Sequence, residues 1–203
     1  MPADVEALKR DAAHAAVDRF VASGMVVGLG AGTTASWVVR RIGEKLSSGE
    51  LTDIKGIPTS EHTTALAREA AIPLGALSEV RPSITLDGAD EVSSRLDVIK
   101  GRGGALLREK IVAASSENGL IIVADESKLV GALGNGPLPV ETEPFVTDGG
   151  HYTIDCLFDG IPDPGPLEVE IKRIPGALEC GLFIGLANAA VIARPDGVEV
   201  IER

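Results

Sequence analysis

The chain has 203 residues, 44% of them hydrophobic, enough for one sizeable core, or for one core plus a small second lobe. A formal net charge of -11 argues against nucleic acid or an anionic membrane as the main partner, so an anionic small molecule would need local donors to hold it. Cys156 and Cys180 have neither Cys-x-x-Cys spacing nor a His at ligand spacing, which points to structural thiols and away from a disulfide framework or zinc.

The N-terminal "MPADVEALKRDAAHAAVDRF" places Val5, Leu8, Ala12 and Phe20 near the helical period and predicts an amphipathic helix, not a signal peptide. No apolar run approaches membrane-spanning length, and a cytoplasmic location is the expectation. "MVVGL" at 25–29 predicts a buried strand, and "TASWVVRRIGEKL" a helix with Trp37, Val38, Ile42 and Leu46 on its apolar side. "DIKGIP" leads into "TSEHTTALAREA", where Thr59 or Ser60 can cap a helix whose first turn carries Glu61. "SITL", "DVIK" and "LIIVA" supply further strands, with "GALLREKIVAASSE" as the helix between the last two.

This alternation predicts an α/β fold, a Rossmann-like and mainly parallel sheet with helices on both faces. Beyond "DESKLVGALG" the composition turns rich in Pro and Gly, and "FVT", "HYTIDCLF" and "LEVEIKRI" alternate like half-exposed strands. The expected division is a main catalytic domain of 1–136 and 180–203, with a small second lobe at 137–179. The apolar tail has strand-like runs suited to a return to the main sheet.

Ligands of open α/β sheets bind beyond the carboxyl ends of the strands, where loops converge and helix N-termini point at the ligand. "GAGTT", "TSEHT", "DGAD", "KGRGG" and "DESK" each follow a predicted strand, so all five should share one rim. In the first, Gly30 and Gly32 free the backbone for a tight turn, and Thr33 and Thr34 add hydroxyls at a helix N-terminus. Such a loop is either a phosphate cradle or a structural strand-to-helix turn. It has neither the third glycine of a dinucleotide fingerprint nor the Gly-Lys pair of a P-loop. Lys9 and Lys128 are either its cations or solvated surface lysines.

Gly88 and Ala89 keep "DGAD" compact, so Asp87 and Asp90 can face one cavity, unless the stretch is only an Asx-type turn. Gly101, Gly103 and Gly104 can present backbone N–H groups beside Lys100, an oxyanion stabiliser or a salt-bridge partner. On a helix starting near Gly104, Glu109 has Ala105, Val112 and Ala113 as same-face neighbours. An acid so placed resists ionisation and becomes a usable base near neutral pH; the competing view is an exposed "REK" triplet making surface ion pairs.

With "GLGAGTTA", "PTSEHTTALAREAAIPL", "LDGADEV", "IKGRGGALLREKI", "VADESKLV", "PLPVE", "TDGGHYTID" and "IPGALECGLFIGLA" in order along nearly the whole chain, the sequence resembles type A ribose-5-phosphate isomerase. That family interconverts ribose 5-phosphate and ribulose 5-phosphate. The resemblance implies a phosphate cradle at Gly32, Thr33 and Thr34, helped by Lys9 and Lys128. It also implies substrate contacts from Ala31, Gly88, Ala89, Gly101, Arg102 and Gly103.

By the same resemblance, Glu109 moves a proton between C1 and C2 through an enediolate. Asp87 and Asp90 handle hydroxyl protons, including ring opening, and Lys100 stabilises the oxyanion. No metal or organic cofactor is implied. The partner implied is a small sugar phosphate, with a homo-oligomer, dimer or tetramer, as a further expectation.

The chain departs from the family pattern at Ala31 and Thr33, where Thr and Ser are common, and at "TDGGH", where Asp-Asn-Gly-Asn is usual. At "LPVETEPFVTDGG" a helix and a strand of the small lobe are nearly absent, so a shortened lobe is expected with the chemistry retained. The alternative function is a non-catalytic sugar-phosphate sensor, which needs the cradle but not Glu109, Asp87, Asp90 and Lys100 together. A nucleotide-dependent oxidoreductase is disfavoured by the loop spacing.

Overall fold

Apolar runs bounded by Gly and Pro form the strands, and stretches with helical periodicity form the layers that cover them. The computed structural model describes residues 4–142, 152–174 and 176–203. In chain order, α1 (Val5–Phe20) precedes β1 (Val26–Leu29), α2 (Gly32–Ser47), β2 (Lys55–Pro58), α3 (Glu61–Glu69) and β3 (Ile84–Asp87). There follow β4 (Glu91–Ser93), β5 (Val98–Ile99), α4 (Leu106–Ser115), β6 (Leu120–Asp125) and β7 (Leu129–Val130). The remainder is β8 (Leu138–Thr142), β9 (Tyr152–Cys156), α5 (Pro164–Lys172), β10 (Ala177–Cys180), β11 (Leu182–Phe183), β12 (Ala187–Arg194) and β13 (Gly197–Glu202). Asp4 caps α1 by accepting from the Glu6 and Ala7 N–H groups, and Ser60 caps α3 by accepting from Thr63.

The main sheet has the order β13-β12-β6-β3-β1-β2 and is parallel apart from the antiparallel edge strand β13. From β1 the chain moves outward to β2, then returns to the other side at β3. The strand order therefore reverses between β1 and β3, the position at which open α/β sheets hold ligands.

One face of the sheet is covered by α1, α2 and α3, whose Ala12, Ala16, Val38, Val39, Ile42 and Ala67 pack on Val27, Leu29, Leu86 and Val123. The opposite face carries a helix, as expected, and a second sheet beside it. Here Ala113 of α4 packs beside Val92, Val98 and Phe183, which belong to a second sheet of order β11-β5-β4-β7. The expected strand around "DVIK" thus exists as β5, but it pairs antiparallel with β4 and β11 and lies outside the parallel sheet. A two-residue apolar run carries no record of which sheet it joins, and the partner strands decide.

Three antiparallel strands, β10-β8-β9, form a small third sheet against which α5 packs, with Leu138, Val140, Ile161, Ile171 and Cys180 in its core. "LEVEIKRI", expected as a strand, is helical through Lys172. Residues four apart share a face in a helix as well as in a strand, so Leu167 and Ile171 fit both patterns. Val169 separates them: it would point inward on a strand, and it is exposed on α5. Pro164 near the helix start sets its first turn. The tail returns to the main sheet as β12 and β13, whereas β11 joins the four-stranded sheet. "FVT" and "TDGGH" lie outside the described residues.

Candidate active site

The reversal point is made by close backbone approach. A Cβ on Gly30 would stand 2.1 Å from Asp87 Oδ1 and 2.6 Å from Asp87 Cα, so only glycine lets the end of β1 lie this near the end of β3. The Gly30 N–H donates to Leu86 O at 3.0 Å, and the Ala31 N–H donates to Asp87 Oδ1 at 3.1 Å. Gly88 N–H donates to the same oxygen at 2.7 Å. These bonds fix one Asp87 oxygen and leave Oδ2 for another partner.

That partner is Lys100. Its Nζ lies 2.9 Å from Asp87 Oδ2 and 2.5 Å from Glu109 Oε2, with all three side chains at most 5% exposed. Lys100 is held from behind as well, since its N–H donates to Gly181 O and its ammonium rests 5.2 Å from the Phe183 ring centroid. Burial disfavours the charged form of all three groups, yet the balance differs for each. Burial pulls the Lys100 ammonium down, but Asp87 and Glu109 more than offset it and hold the group protonated above its ordinary range. Burial raises Asp87 despite the attraction of Lys100. Glu109 is pushed up to about 7, by burial first and by the Asp87 charge second, against the pull of Lys100.

Above this cluster opens a cavity of about 960 Å³ lined from several loops. Its walls include Ala31, Gly32, Thr33 and Thr34 after β1, Gly88, Ala89 and Asp90 after β3, and Lys100, Gly101, Arg102 and Gly103 after β5. Lys9, Glu109 and Lys128 complete the sequence-predicted set within it. Asp87 is the exception: it lies beneath the cavity, buried under the loop, so the expectation that both aspartates face the cavity holds for Asp90 alone. The turn hydrogen bonds to Asp87 Oδ1 direct that side chain inward.

One end of the cavity suits an anion. The first turn of α2 has no side-chain cap, so its N–H groups face outward beside the Thr33 and Thr34 hydroxyls. Lys9 stands there too, its Nζ 3.1 Å from Thr33 Oγ1 and 2.7 Å from Glu6. Elsewhere on the wall, the Arg102 guanidinium donates to Pro137 O at 3.3 Å and Glu91 Oε1 at 3.4 Å, while the Arg102 backbone N–H donates to Asp90 Oδ2 at 3.3 Å.

Several participants carried no sequence signal strong enough to single them out. Ser60, His62 and Thr153 line the cavity, although all three stand in stretches noted above. Buried Glu91 accepts from the N–H groups of Gly134, Asn135 and Gly136, at 2.7, 3.2 and 2.7 Å, and so anchors the loop that Arg102 touches. Lys110, from the "REK" triplet, is buried and makes no surface pair. Its Nζ contacts Glu179 at 2.6 Å, Glu168 at 3.0 Å and Cys180 O at 2.8 Å, tying the helix that carries Glu109 to α5 and β10.

The family model for ribose 5-phosphate isomerase A (phosphoriboisomerase A) matches residues 55–146 and 141–197. A ribose-5-phosphate isomerase A from Gloeobacter violaceus is 47% identical, with 98% of this chain and 97% of that protein covered. One from Rhodopseudomonas palustris is 44% identical, with 97% of each covered. The solved ribose 5-phosphate isomerase from Plasmodium falciparum superposes with a TM-score of 0.93 at 38% identity, covering 98% of this chain and 99% of that one. A D-ribose-5-phosphate isomerase in complex with phospho-erythronic acid superposes at 0.95 with 36% identity, covering 99% and 100%. The Gloeobacter alignment runs 227 residues against the 203 of this chain, so that relative carries residues without a counterpart here. The two matched stretches meet at 141–146, where the sequence suggested a shortened joint.

Proposed function

The chain belongs to the ribose 5-phosphate isomerase A family and is an aldose-ketose isomerase, and from that premise we propose how its cavity interconverts D-ribose 5-phosphate and D-ribulose 5-phosphate. The phosphate lies at the start of α2, held by the N–H groups of Gly32, Thr33 and Thr34 and by the Lys9 and Lys128 ammoniums. The reacting carbons then lie over the Lys100–Glu109 pair. The Glu109 carboxylate takes the C2 proton of the open-chain aldose, the C2–H electron pair forms the C1–C2 double bond of an enediolate, and the C1 carbonyl oxygen becomes the oxyanion. The same carboxyl returns the proton to C1, while the hydroxyl proton at O2 leaves and O1 is protonated. Asp90, on the cavity wall, carries hydroxyl protons in this exchange and in opening the sugar ring.

Lys100 meets the developing oxyanion with a charge already desolvated and oriented, so little reorganisation is needed during the reaction. Asp87 acts through Lys100, which it holds from below. We take 1–136 with 180–203 as the unit that carries this chemistry and 137–179 as the accessory lobe.

The observation supporting this reading best is Glu109 itself, a buried carboxylate on the cavity wall, pushed up to about 7 and set against a buried ammonium. A base with that affinity can both take and return a proton near neutral pH. A sensor would have no use for this pair. The test is isomerisation of ribose 5-phosphate without added metal by wild type and Glu109→Gln. Loss of at least about 10²-fold in kcat, with inorganic phosphate still inhibiting the residual rate, is the expected result. A fully active Glu109→Gln enzyme would remove Glu109 from the base role.

A further inference from the structure

Among the described residues, three buried side-chain oxygens have no hydrogen-bond partner: Asp87 Oδ2, Glu109 Oε2 and Thr153 Oγ1. The first two lie against the Lys100 ammonium. Thr153 has no such neighbour, and it lines the cavity. A buried hydroxyl without a partner lowers stability, and valine would fit the same strand position at similar volume. Thr153 is half-buried on the cavity wall, so its hydroxyl is placed to meet a ligand oxygen there.

The strand register says which end of the ligand this is. Thr153 on β9 stands directly opposite Glu141 on β8, so both side chains leave the same face of the small sheet. Glu141 Oε2 accepts from the Leu107 N–H at 3.3 Å, in the first turn of α4. In the same turn, the Glu109 N–H donates to Ala105 O, and Ala105 lines the cavity with Gly103 and Gly104. Thr153 therefore belongs to the Glu109 end of the cavity, away from the uncapped start of α2.

We infer that the Thr153 hydroxyl is a substrate contact supplied by the small sheet, hydrogen-bonding a sugar oxygen at the reacting end and thereby selecting and orienting that end over Glu109. The inference rests on the isomerase reading above. It deepens that reading by giving β9 a direct part in substrate recognition, whereas the main machinery comes from the β1, β3 and β5 loops and α4.

The test compares wild type, Thr153→Val and Thr153→Ser by thermal melting and steady-state kinetics. It adds inhibition by inorganic phosphate and binding of phospho-erythronic acid, a sugar-acid phosphate that carries a carboxyl group besides its phosphate. Thr153→Val should melt at the same temperature or up to about 4 °C higher, because the stranded hydroxyl is gone. It should also lose about tenfold in kcat/KM and in affinity for phospho-erythronic acid. Inhibition by inorganic phosphate should stay within about twofold, since that ion needs only the far end, and Thr153→Ser should keep most of the activity.

A Thr153→Val enzyme with wild-type kcat/KM and wild-type affinity for the acid overturns the inference. So does one that melts well below wild type or fails to fold, because the hydroxyl is then structural. If wild type itself does not isomerise ribose 5-phosphate, the isomerase reading falls. Binding of phospho-erythronic acid to the two variants still decides the role of Thr153 on its own.

Discussion

Replacing Asp87 by Asn removes one charge from the buried cluster with a side chain of nearly the same shape, and its effect on Glu109 can be worked out in sign and size. Lys100 Nζ is 2.9 Å from Asp87 Oδ2 and 2.5 Å from Glu109 Oε2, so the two oxygens are at most about 5.4 Å apart. Two unit charges at that separation, with an effective dielectric constant near 20, repel by about 3 kcal/mol, or about two pH units before water in the adjacent cavity screens part of it. Removing the Asp87 charge leaves burial pushing Glu109 up and Lys100 pulling it down. The Glu109 titration should then fall from about 7 by between about one and two units.

Since the carboxylate form is the base, wild-type kcat/KM should rise tenfold per pH unit below about 7 and level off above it. In Asp87→Asn this limb moves to lower pH. Its plateau also drops, because the new amide N–H group faces the Lys100 ammonium and displaces it. The assay is kcat/KM for ribose 5-phosphate from pH 5 to pH 9, with melting as the control for folding. A folded, active Asp87→Asn enzyme whose limb stays at 7 or moves upward would refute the electrostatic account.

Gly30→Ala should lower the melting temperature by about 4–10 °C, equivalent to about 2–3 kcal/mol, because its Cβ meets Asp87 backbone that cannot swing aside. Differential scanning calorimetry checks this, and an unchanged midpoint would contradict the close approach. Lys128→Met should raise KM for ribose 5-phosphate and weaken phosphate inhibition, with kcat/KM down about 10–100-fold and kcat changed less. Equal KM values for variant and wild type would take Lys128 out of the phosphate site.

Stability should also respond to Glu109. Its folded value is near 7 against 4.5 for the free group, so the folded protein holds the proton more tightly. This contribution is complete below about 4.5 and is lost as pH rises through about 7, amounting to about 3 kcal/mol between pH 4 and pH 8. Urea unfolding of wild type across that range, referenced to Glu109→Gln, should show the loss. A flat difference would count against it.

Much of the architecture was present in local pattern. Strand, turn and helix alternate along the first 125 residues, and the loops that follow the strands were identifiable because a parallel sheet places them all at one end. Lys100, Glu109 and the Gly32–Thr34 turn could be singled out because a charge or a glycine run stands out inside apolar sequence. The α5 segment was misread as a strand, since Leu167 and Ile171 satisfy both periods and only the exposure of Val169 in the folded chain tells them apart.

The sequence by itself determined which residue types meet at the rim, because short-range periodicity and turn chemistry act within a few residues. Tertiary structure alone decided how they divide the work. Asp87 and Asp90 differ by three positions in one turn, yet the N–H groups of Ala31 and Gly88 draw Asp87 under the cavity and leave Asp90 on its wall. Lys110 looked like a surface charge beside Glu109 until Glu168 and Glu179, far along the chain, enclosed it. Thr153 lay in a stretch that the sequence marked only as strand-like, because an unpartnered hydroxyl is defined by what surrounds it in space. Desolvation and charge pairing depend on neighbours brought together from distant parts of the chain, and no local window of sequence contains them.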